Sequence, residues 1–142
     1  LTKLQILIKE VDQDMKKHRY SDAGSKIYDF IWCQYCDWYL EISKGSNKNP
    51  AVLLHILKTV LTLMHPFCPF VTEKIWSFMH KDSISFQKWP EVNKELIFIE
   101  ESKTMEKVHS IITKIRKIRA ELKVAPGKKI HAVIYAGKTQ QA

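Results

Sequence analysis

The sequence predicts a mainly α-helical bundle with a small β element near the C-terminus. Two observations support the bundle: apolar side chains recur at helical spacing in several segments, and polar or proline-containing joints separate those segments. A third supports the β element, because the β-branched run IHAVIY follows the helix-breaking stretch APGKK. We therefore expect one helical bundle over residues 1–125, followed at 126–142 by an exit loop and a short, truncated strand.

The first two predicted helices differ in how much of their surface is apolar. Residues 1–17 carry a single apolar stripe, and the polar joint HRYSDAG follows them. Ser21 or Asp22 is expected to cap the second helix, at about residues 22–43. Two adjacent apolar stripes leave that helix only a narrow polar strip, which predicts a central helix buried on several sides. The stripes are Ile27, Ile31, Trp38 and Ile42, and Tyr28, Trp32, Tyr35 and Tyr39.

Two prolines three residues apart, Pro66 and Pro69, interrupt the apolar run LTLMHPFCPFVTEKIW. A third helix is expected at 49–64, because it opens with the N-capping residue Asn followed by Pro, a favourable first helical residue. Pro66 is expected to move His65 out of helical backbone angles. The stretch HPFCPF is thus predicted to form a rigid corner before a fourth helix at about 72–79.

The last predicted helix is long and basic. The Trp-Pro pair at 89–90 marks a loop, and the LIFI segment after it is interpreted as the lead-in to this helix rather than as a strand. Ser102 is expected to cap the helix, which reaches about Lys123. Its apolar residues are expected to face inward, namely Met105, Val108, Ile111, Ile112, Ile115, Ile118 and Leu122.

Net charge and cysteine content restrict the class of protein. Lys and Arg number 23 against 15 Asp and Glu, which gives a net charge of +8 and favours an anionic partner, nucleic acid before an acidic membrane or protein. Three cysteines are typical of a reducing compartment, and no apolar run is long enough to cross a membrane. Because the chain lacks both a signal peptide and an initiator Met, we expect a domain cut from a longer protein.

No group of residues predicts an independent active site. The four glycines are scattered rather than gathered in a phosphate-binding loop, and the presence of Ser, His and Asp does not by itself make a triad. Cys33-x-x-Cys36 and His65-x-x-Cys68 supply four residues of the zinc-binding type, so a zinc protein is an alternative. The first pair, however, lies in an aromatic helix without a glycine turn. We expect free thiols, no metal and no catalytic residue.

Basic and aromatic residues predict an RNA-binding surface instead. Tyr20 lies at a helix entrance beside His18 and Arg19, where an exposed ring can stack on an unpaired base. Alternatively, Tyr20 packs onto its own helix as a hydrophobic staple. The basic residues of the last helix either follow nucleic-acid phosphates or form a solvated face. They are Lys103, Lys107, Lys114, Arg116, Lys117, Arg119 and Lys123.

Three segments resemble the anticodon-binding domain of class I aminoacyl-tRNA synthetases. RYSDAGSKIYDFIWCQYCDWYLEISK is similar to the helix that opens that domain, and LLHILKTVLTLMHPFCPFVTEKIW is similar to its next helical hairpin. IRKIRAELKVAPGKKI resembles a later helix and its exit loop, and the KWP before that helix also fits. The CDWYLE and IRAELKVAPGK patterns are most similar to the valyl branch, with the isoleucyl branch as the nearest competitor. The resemblance covers nearly the whole chain.

The resemblance implies an anticodon-binding helical bundle that binds the anticodon arm of tRNA, and in the valyl branch tRNA-Val. The parent would be a valine–tRNA ligase that attaches valine using ATP with magnesium, with catalytic and editing domains on the same chain. The family's adenylate-forming motifs HIGH and KMSKS are absent, so this fragment alone is expected to be inactive and to carry no cofactor. A cytoplasmic, monomeric protein without membrane contact is expected.

The candidate tRNA contacts combine this resemblance with residue chemistry. The proline corner is expected to keep the RNA-binding surface in shape, because a preformed surface loses less entropy on binding. A helical protein-interaction scaffold without any RNA role is the alternative from another class, and the isoleucyl domain is the alternative within the family. The candidates are Arg19, Tyr20 and Lys26 for bases, Phe67 and Lys74 near the corner, and Arg116 and Arg119 for phosphates or for a structural role.

Overall fold

A computed structural model describes residues 1–45, 49–125, 127–131 and 133. The chain divides into two compact units, Leu1–Ser102 and Lys103–Ala142. The first unit contains helices α1 to α4 and the start of α5, and the rest of α5 lies in the second unit. The helices are α1 (Thr2–Lys16), α2 (the consecutive segments Tyr20–Asp29, Phe30–Leu40 and Glu41–Ser43), α3 (Pro50–Met64), α4 (Pro69–Trp76) and α5 (Ile99–Glu121).

The main core of the first unit lies between α1, α2 and α3. Apolar residues on α1 recur three and four positions apart, which places them on one helical face toward α2. Asn49 begins α3 as predicted, since its side chain accepts a hydrogen bond from the N–H of Val52 and Pro50 is the first helical residue. The buried core residues are Leu4, Leu7, Ile8, Val11, Ala23, Ile27, Phe30, Ile56, Val60 and Leu63.

The middle of α2, Phe30–Leu40, is a π-helix, and this changes which side chains are buried. Hydrogen bonds to the fifth rather than the fourth preceding residue alter the angular spacing of side chains. Tyr35 and Tyr39 pack partly against the core, but Trp32 and Ile42 are about half exposed. The prediction of a helix buried on several sides is therefore wrong.

The predicted cap of α2 is also wrong, because the helix begins earlier than its polar residues suggest. Its first residue is Tyr20, and Arg19 is the N-cap without a side-chain hydrogen bond. The N–H of Ala23 bonds instead to the carbonyl oxygen of Arg19 at 3.1 Å. Ser21 and Asp22 consequently lie inside the first turn, where Asp22 places its carboxylate near the positive end of the helix dipole.

The proline corner forms, but its break lies later than predicted. His65 keeps helical angles (φ −55°, ψ −41°), so the prediction that Pro66 displaces it is wrong. The chain leaves the helix at Cys68 (φ −136°, ψ 64°), directly before Pro69, the first residue of α4. The steric restriction on a residue that precedes proline therefore acts at Cys68.

Side-chain hydrogen bonds connect the corner to the segment after α4. The imidazole of His65 bonds to the hydroxyls of Thr72 (2.8 Å) and Ser85 (3.2 Å). The carboxylate of Glu73 accepts hydrogen bonds from the Ser83 hydroxyl at 2.9 Å and from the N–H of Ile84 at 3.2 Å. These contacts hold α4 over a second, smaller core. Its members are Leu61, Trp76 and Ile84, with Leu57 and Met79 at its edge.

The C-terminal part of the chain differs from the prediction in three respects. Helix α5 begins at Ile99, so Ser102 does not cap it. No residue of α5 is buried, and Ile118 and Leu122 are exposed, so the predicted inward-facing stripe is wrong. Of the predicted strand at 130–135, positions 130, 131 and 133 are described, and none of them is in a strand. A strand requires a partner, and no described residue of the chain supplies one, so the β element is not confirmed.

Replacing Gly24 with alanine is expected to stabilise the first unit. Gly24 lies inside the helical segment Tyr20–Asp29, and a Cβ there would lie 3.5 Å from ring carbons of Phe67, at ordinary contact distance. Because alanine loses less backbone entropy in a helix, the free energy of unfolding should rise by about 0.5–1 kcal/mol. Urea denaturation measures this value, and a decrease would contradict the contact geometry.

Candidate nucleic-acid interface

A buried carboxylate, Asp14, organises the junction between α1 and α2. Asp14 lies in the last turn of α1 and is 1% exposed. It accepts hydrogen bonds from Nζ of Lys26 at 2.7 Å and from the guanidinium of Arg19. The N–H of Arg19 also donates to the backbone oxygen of Asp14 at 2.9 Å. Two of the predicted base contacts, Arg19 and Lys26, therefore converge on one acidic residue.

The charges in this cluster stabilise one another. The hydrogen bond from Lys26 is the main cause that lowers the pKa of Asp14 below its ordinary value, while burial acts in the opposite direction. The same hydrogen bond raises the pKa of Lys26. Both groups are consequently charged at neutral pH, and the two cations are held in fixed positions.

The cluster is not strongly positive as a whole. Besides Asp14, the carboxylate of Glu10 lies 3.6 Å from Nζ of Lys26, and that of Asp22 lies 3.9 Å from Nε of Arg19. Both cations remain partly exposed. Their observed contacts join α1 to α2, so any nucleic-acid contact would use the donors that point to solvent.

Tyr20 presents an exposed aromatic ring at the first position of α2, directly after Arg19 in sequence. The residue is 51% exposed, so it is not a staple buried against its own helix. Its hydroxyl lies 2.8 Å from Nδ1 of His18, and the two rings meet edge to face with centroids 5.9 Å apart. His18 has a positive φ of 58°, the left-handed conformation that turns the chain from α1 into α2. The hydrogen bond and this turn fix the orientation of the ring.

The two candidates near the corner have different environments. Phe67 is partly buried and packs against the main core, which makes it a structural side chain. Lys74 is exposed on α4, and its Nζ lies 5.0 Å from the ring centroid of Phe78, a cation–π contact. The structure does not bring Phe67 and Lys74 together as one surface.

In the second unit, Arg119 is engaged with the segment that follows α5. Its guanidinium donates hydrogen bonds to the backbone oxygens of Ala125 (2.6 Å) and Lys128 (3.0 Å). Lys123 has a positive φ of 52°, which ends the helix and lets the chain return toward Arg119. These contacts are of the kind expected for the structural alternative for Arg119, and Arg116 is exposed on the same helix.

Sequence reasoning missed two exposed rings, Phe70 and Phe78. They lie four residues on either side of Lys74, and this spacing on one helical face was the available signal. Phe70 belongs to the apolar run around the proline corner, and residues of such a run are usually core.

The residues of the alternative zinc site do not form a metal-binding group. Cys33 is exposed and His65 is bonded to Thr72 and Ser85. Within the ranges that the structure describes, no three His, Cys, Asp or Glu residues are grouped so that they could hold a metal ion. No helix in those ranges combines the length and apolarity required to cross a membrane.

The chain is similar to known proteins along almost its whole length. A family model described as the anticodon-binding domain of tRNA ligase matches residues 1–134. The chain is 39% identical over 147 residues to a Valine--tRNA ligase of Staphylococcus aureus, and the match covers 96% of this chain and 17% of that protein. It is 38% identical over 143 residues to the Valine--tRNA ligase of Pseudothermotoga lettingae, with 95% and 17% covered.

A further relative gives the same result. The Valine--tRNA ligase of Oceanobacillus iheyensis is 36% identical over 145 residues, which cover 94% of this chain and 16% of that protein. The chain therefore spans only 16–17% of the length of the curated relatives it matches.

Proposed function

The chain belongs to the anticodon-binding domains of tRNA ligases, and from this premise we propose that it binds the anticodon arm of tRNA-Val. Identities of 36–39% to Valine--tRNA ligases support the valine assignment. The main structural support is Tyr20, an exposed ring that bonds to His18 at the entrance of the helix on which Arg19 and Lys26 contact Asp14. Unpaired anticodon bases are well suited to such a ring, because single-stranded RNA is recognised largely by stacking on aromatic side chains.

The proposed contact uses the α1–α2 junction for the bases. Tyr20 stacks on one unpaired base, while the solvent-facing donors of Arg19 and Lys26 reach base edges or nearby phosphates. The buried carboxylate of Asp14 holds these two side chains in place before RNA arrives. Binding therefore loses less side-chain entropy than it would with free lysine and arginine side chains.

The other candidates contribute less directly. In the second unit, the exposed Arg116 and the neighbouring lysines of α5 are proposed to meet phosphates, a contact that carries no sequence information. Arg119 donates hydrogen bonds to the backbone oxygens of the exit segment, and we propose a supporting rather than a direct role for it. Lys74 is not included in the proposed tRNA contact, because its ammonium lies over the ring of Phe78, and Phe67 supports the surface from within the core.

The parent protein is proposed to be a valine–tRNA ligase. It would join valine to tRNA-Val with ATP and magnesium, and would edit threonine, on catalytic and editing domains of the same chain. The HIGH and KMSKS motifs are absent from this sequence, so those steps need residues outside it. A cytoplasmic, monomeric parent is part of this proposal.

Titrating the chain with tRNA-Val transcript at several salt concentrations tests the proposal. Affinity should fall steeply as salt rises, because phosphate contacts release counterions. Exchanging the valine anticodon loop for the isoleucine loop should weaken binding by about tenfold, which corresponds to about 1.4 kcal/mol. Affinity that ignores both salt and anticodon would favour a protein-interaction scaffold. Equal affinity for both loops, with strong salt dependence, would leave tRNA binding intact and overturn the valine assignment.

A further inference from the structure

Helix α4 carries an exposed apolar face that the proposed tRNA site does not use. Phe70 is 89% exposed and Phe78 is 76% exposed, and Val71 and Ile75 are also exposed. Lys74 is the charged residue among them. Because successive helical residues are 100° apart, the four positions within α4 fall on an arc of about 140° around the axis, and Phe78 lies in the turn directly after the helix. The face is continuous across the helix and the turn that follows it.

This face is presented by a well-anchored helix. On the opposite side of α4, Thr72 and Trp76 are buried, and the Thr72 hydroxyl is bonded to His65. Glu73 binds the Ser83 hydroxyl and the N–H of Ile84, which joins the helix to the next segment. The rings of Phe70 and Phe78 therefore cannot turn inward without breaking these contacts. A fixed, exposed apolar patch of this kind marks an interaction surface.

The chemistry of the face favours a protein partner. Four of its five side chains are apolar, and the ammonium of Lys74 lies over the ring of Phe78 at 5.0 Å. RNA-binding surfaces depend on several cations to neutralise phosphates, which this face does not provide. Exposed aromatic side chains with few charges are typical of the centre of a protein–protein contact.

We propose that the α4 face, defined by Phe70, Val71, Lys74, Ile75 and Phe78, packs against an apolar surface of another domain of the same ligase chain. The inference rests on the proposed function, since the matched region makes up only 16–17% of the related ligases. The remaining domains of such a protein are tethered to this one at high effective concentration. A small patch is then sufficient, because contacts between domains of one chain are smaller than those between separate proteins.

Hydroxyl-radical footprinting of the 142-residue chain and of the full-length parent tests this inference. Phe70 and Phe78 should be modified about fivefold more slowly in the parent, because a ring buried at a contact is inaccessible to the radical. Phe86 is a matched control: it is 83% exposed and lies outside the face. Its rate should be the same in both proteins. Equal rates for Phe70 and Phe78 in both proteins would overturn the inference.

A variant of the parent provides a second measurement. Phe70→Ser with Phe78→Ser should lower the temperature of thermal inactivation of valine activation, whereas Phe86→Ser should not. The same double substitution in the 142-residue chain should leave its affinity for tRNA unchanged. If the double substitution in the 142-residue chain lowers tRNA affinity, the inference is wrong and the face contacts RNA. If the protection of Phe70 and Phe78 from hydroxyl radicals depends on protein concentration, the inference is also wrong and the face contacts a second copy of the chain. If tRNA binding fails while the rings remain protected in the parent, only the proposed function is contradicted.

Discussion

Replacing Asp14 with asparagine is expected to lower the Tm of the chain by roughly 5 °C or more at neutral pH. Asparagine has nearly the same shape as aspartate but removes the charge that receives Lys26 and Arg19. Both cations would then lose their buried partner, and α1 and α2 would lose their main polar connection. Thermal unfolding followed by circular dichroism at 222 nm measures the effect.

The pH dependence of this effect follows from the direction of the pKa shifts. The pKa of Asp14 is lowered from its ordinary value of 3.8, so its contribution is complete above that value and is lost as pH falls through the lower, folded-state pKa. The pKa of Lys26 is raised from 10.5, so its contribution is complete below 10.5 and is lost at higher pH. The difference in Tm between the wild type and Asp14→Asn should therefore be largest from about pH 5 to 9 and should shrink in acid.

Asp12→Asn is the matched control for this experiment. Asp12 lies on the same helix and pairs with Lys16 at 2.7 Å, but both side chains are well exposed. Surface pairs of this kind contribute little, so the Tm should change by less than about 2 °C. Equal changes in Tm for the two substitutions would show that the buried cluster around Asp14 stabilises the fold no more than an exposed ion pair does. A difference that persists unchanged far below pH 3.8 would contradict a charged Asp14 as the source of the effect.

The second large effect is expected from Tyr20→Ala, which should weaken tRNA-Val binding by about 5- to 100-fold, because stacking on one aromatic side chain contributes about 1–3 kcal/mol. Tyr20→Phe keeps the ring but removes the hydroxyl that bonds to His18. It should weaken binding only about twofold, because the ring remains and only its orientation is less fixed. Filter binding at constant salt concentration measures both.

Tyr28→Ala provides the comparison for Tyr20. Tyr28 is 55% exposed on the same helix, and its ring contacts Trp32 rather than His18. Its loss should leave tRNA affinity within about twofold, since an exposed ring away from the site makes no stacking contact. If Tyr20→Ala binds as well as the wild type while remaining folded, the site is misplaced. If both alanine variants lose affinity equally, the effect comes from the fold of α2 and not from a stacking contact.

Local patterns in the sequence predicted the helices well and their surroundings less well. Helices α1 and α3 lie within one residue of their predicted positions, because apolar spacing and the Asn-Pro start signal act over a few residues. Helix α4 forms, but it begins and ends three residues earlier than predicted, because Pro69 is its first residue. The π-helical segment Phe30–Leu40 has no such local signal, and Trp32 within it is exposed although the 3.6-residue period placed it in the core. Tyr28 and Ile42, on either side of the segment, are exposed as well. The burial of a side chain depends on its partners, which a stripe alone does not specify.

In the candidate site, too, some features could be predicted from local sequence and others depended on tertiary contacts. The exposure of Tyr20 agrees with its position at a helix entrance beside basic residues. The convergence of Arg19 and Lys26 on Asp14 was not predicted, although Asp14 falls on the apolar face of α1 with Leu7 and Val11. A buried acid there required a cationic partner, and this was the available signal. The exposure of Phe70 was missed, because exposed apolar residues look like core residues in sequence and only the spacing around Lys74 distinguished them.

If Arg19 and Lys26 bind anticodon bases as proposed, their shared use of Asp14 limits how the protein can change its RNA preference. Any substitution of Arg19 or Lys26 that changes anticodon recognition would also remove a salt-bridge partner of the buried carboxylate of Asp14. Such a substitution would therefore lower the stability of the fold as well. Selection for new specificity should therefore proceed first through His18 and Tyr20, whose side chains can vary without leaving a buried charge unmatched. A mutant library designed to change the tRNA specificity of the domain should therefore keep Asp14, Arg19 and Lys26 constant.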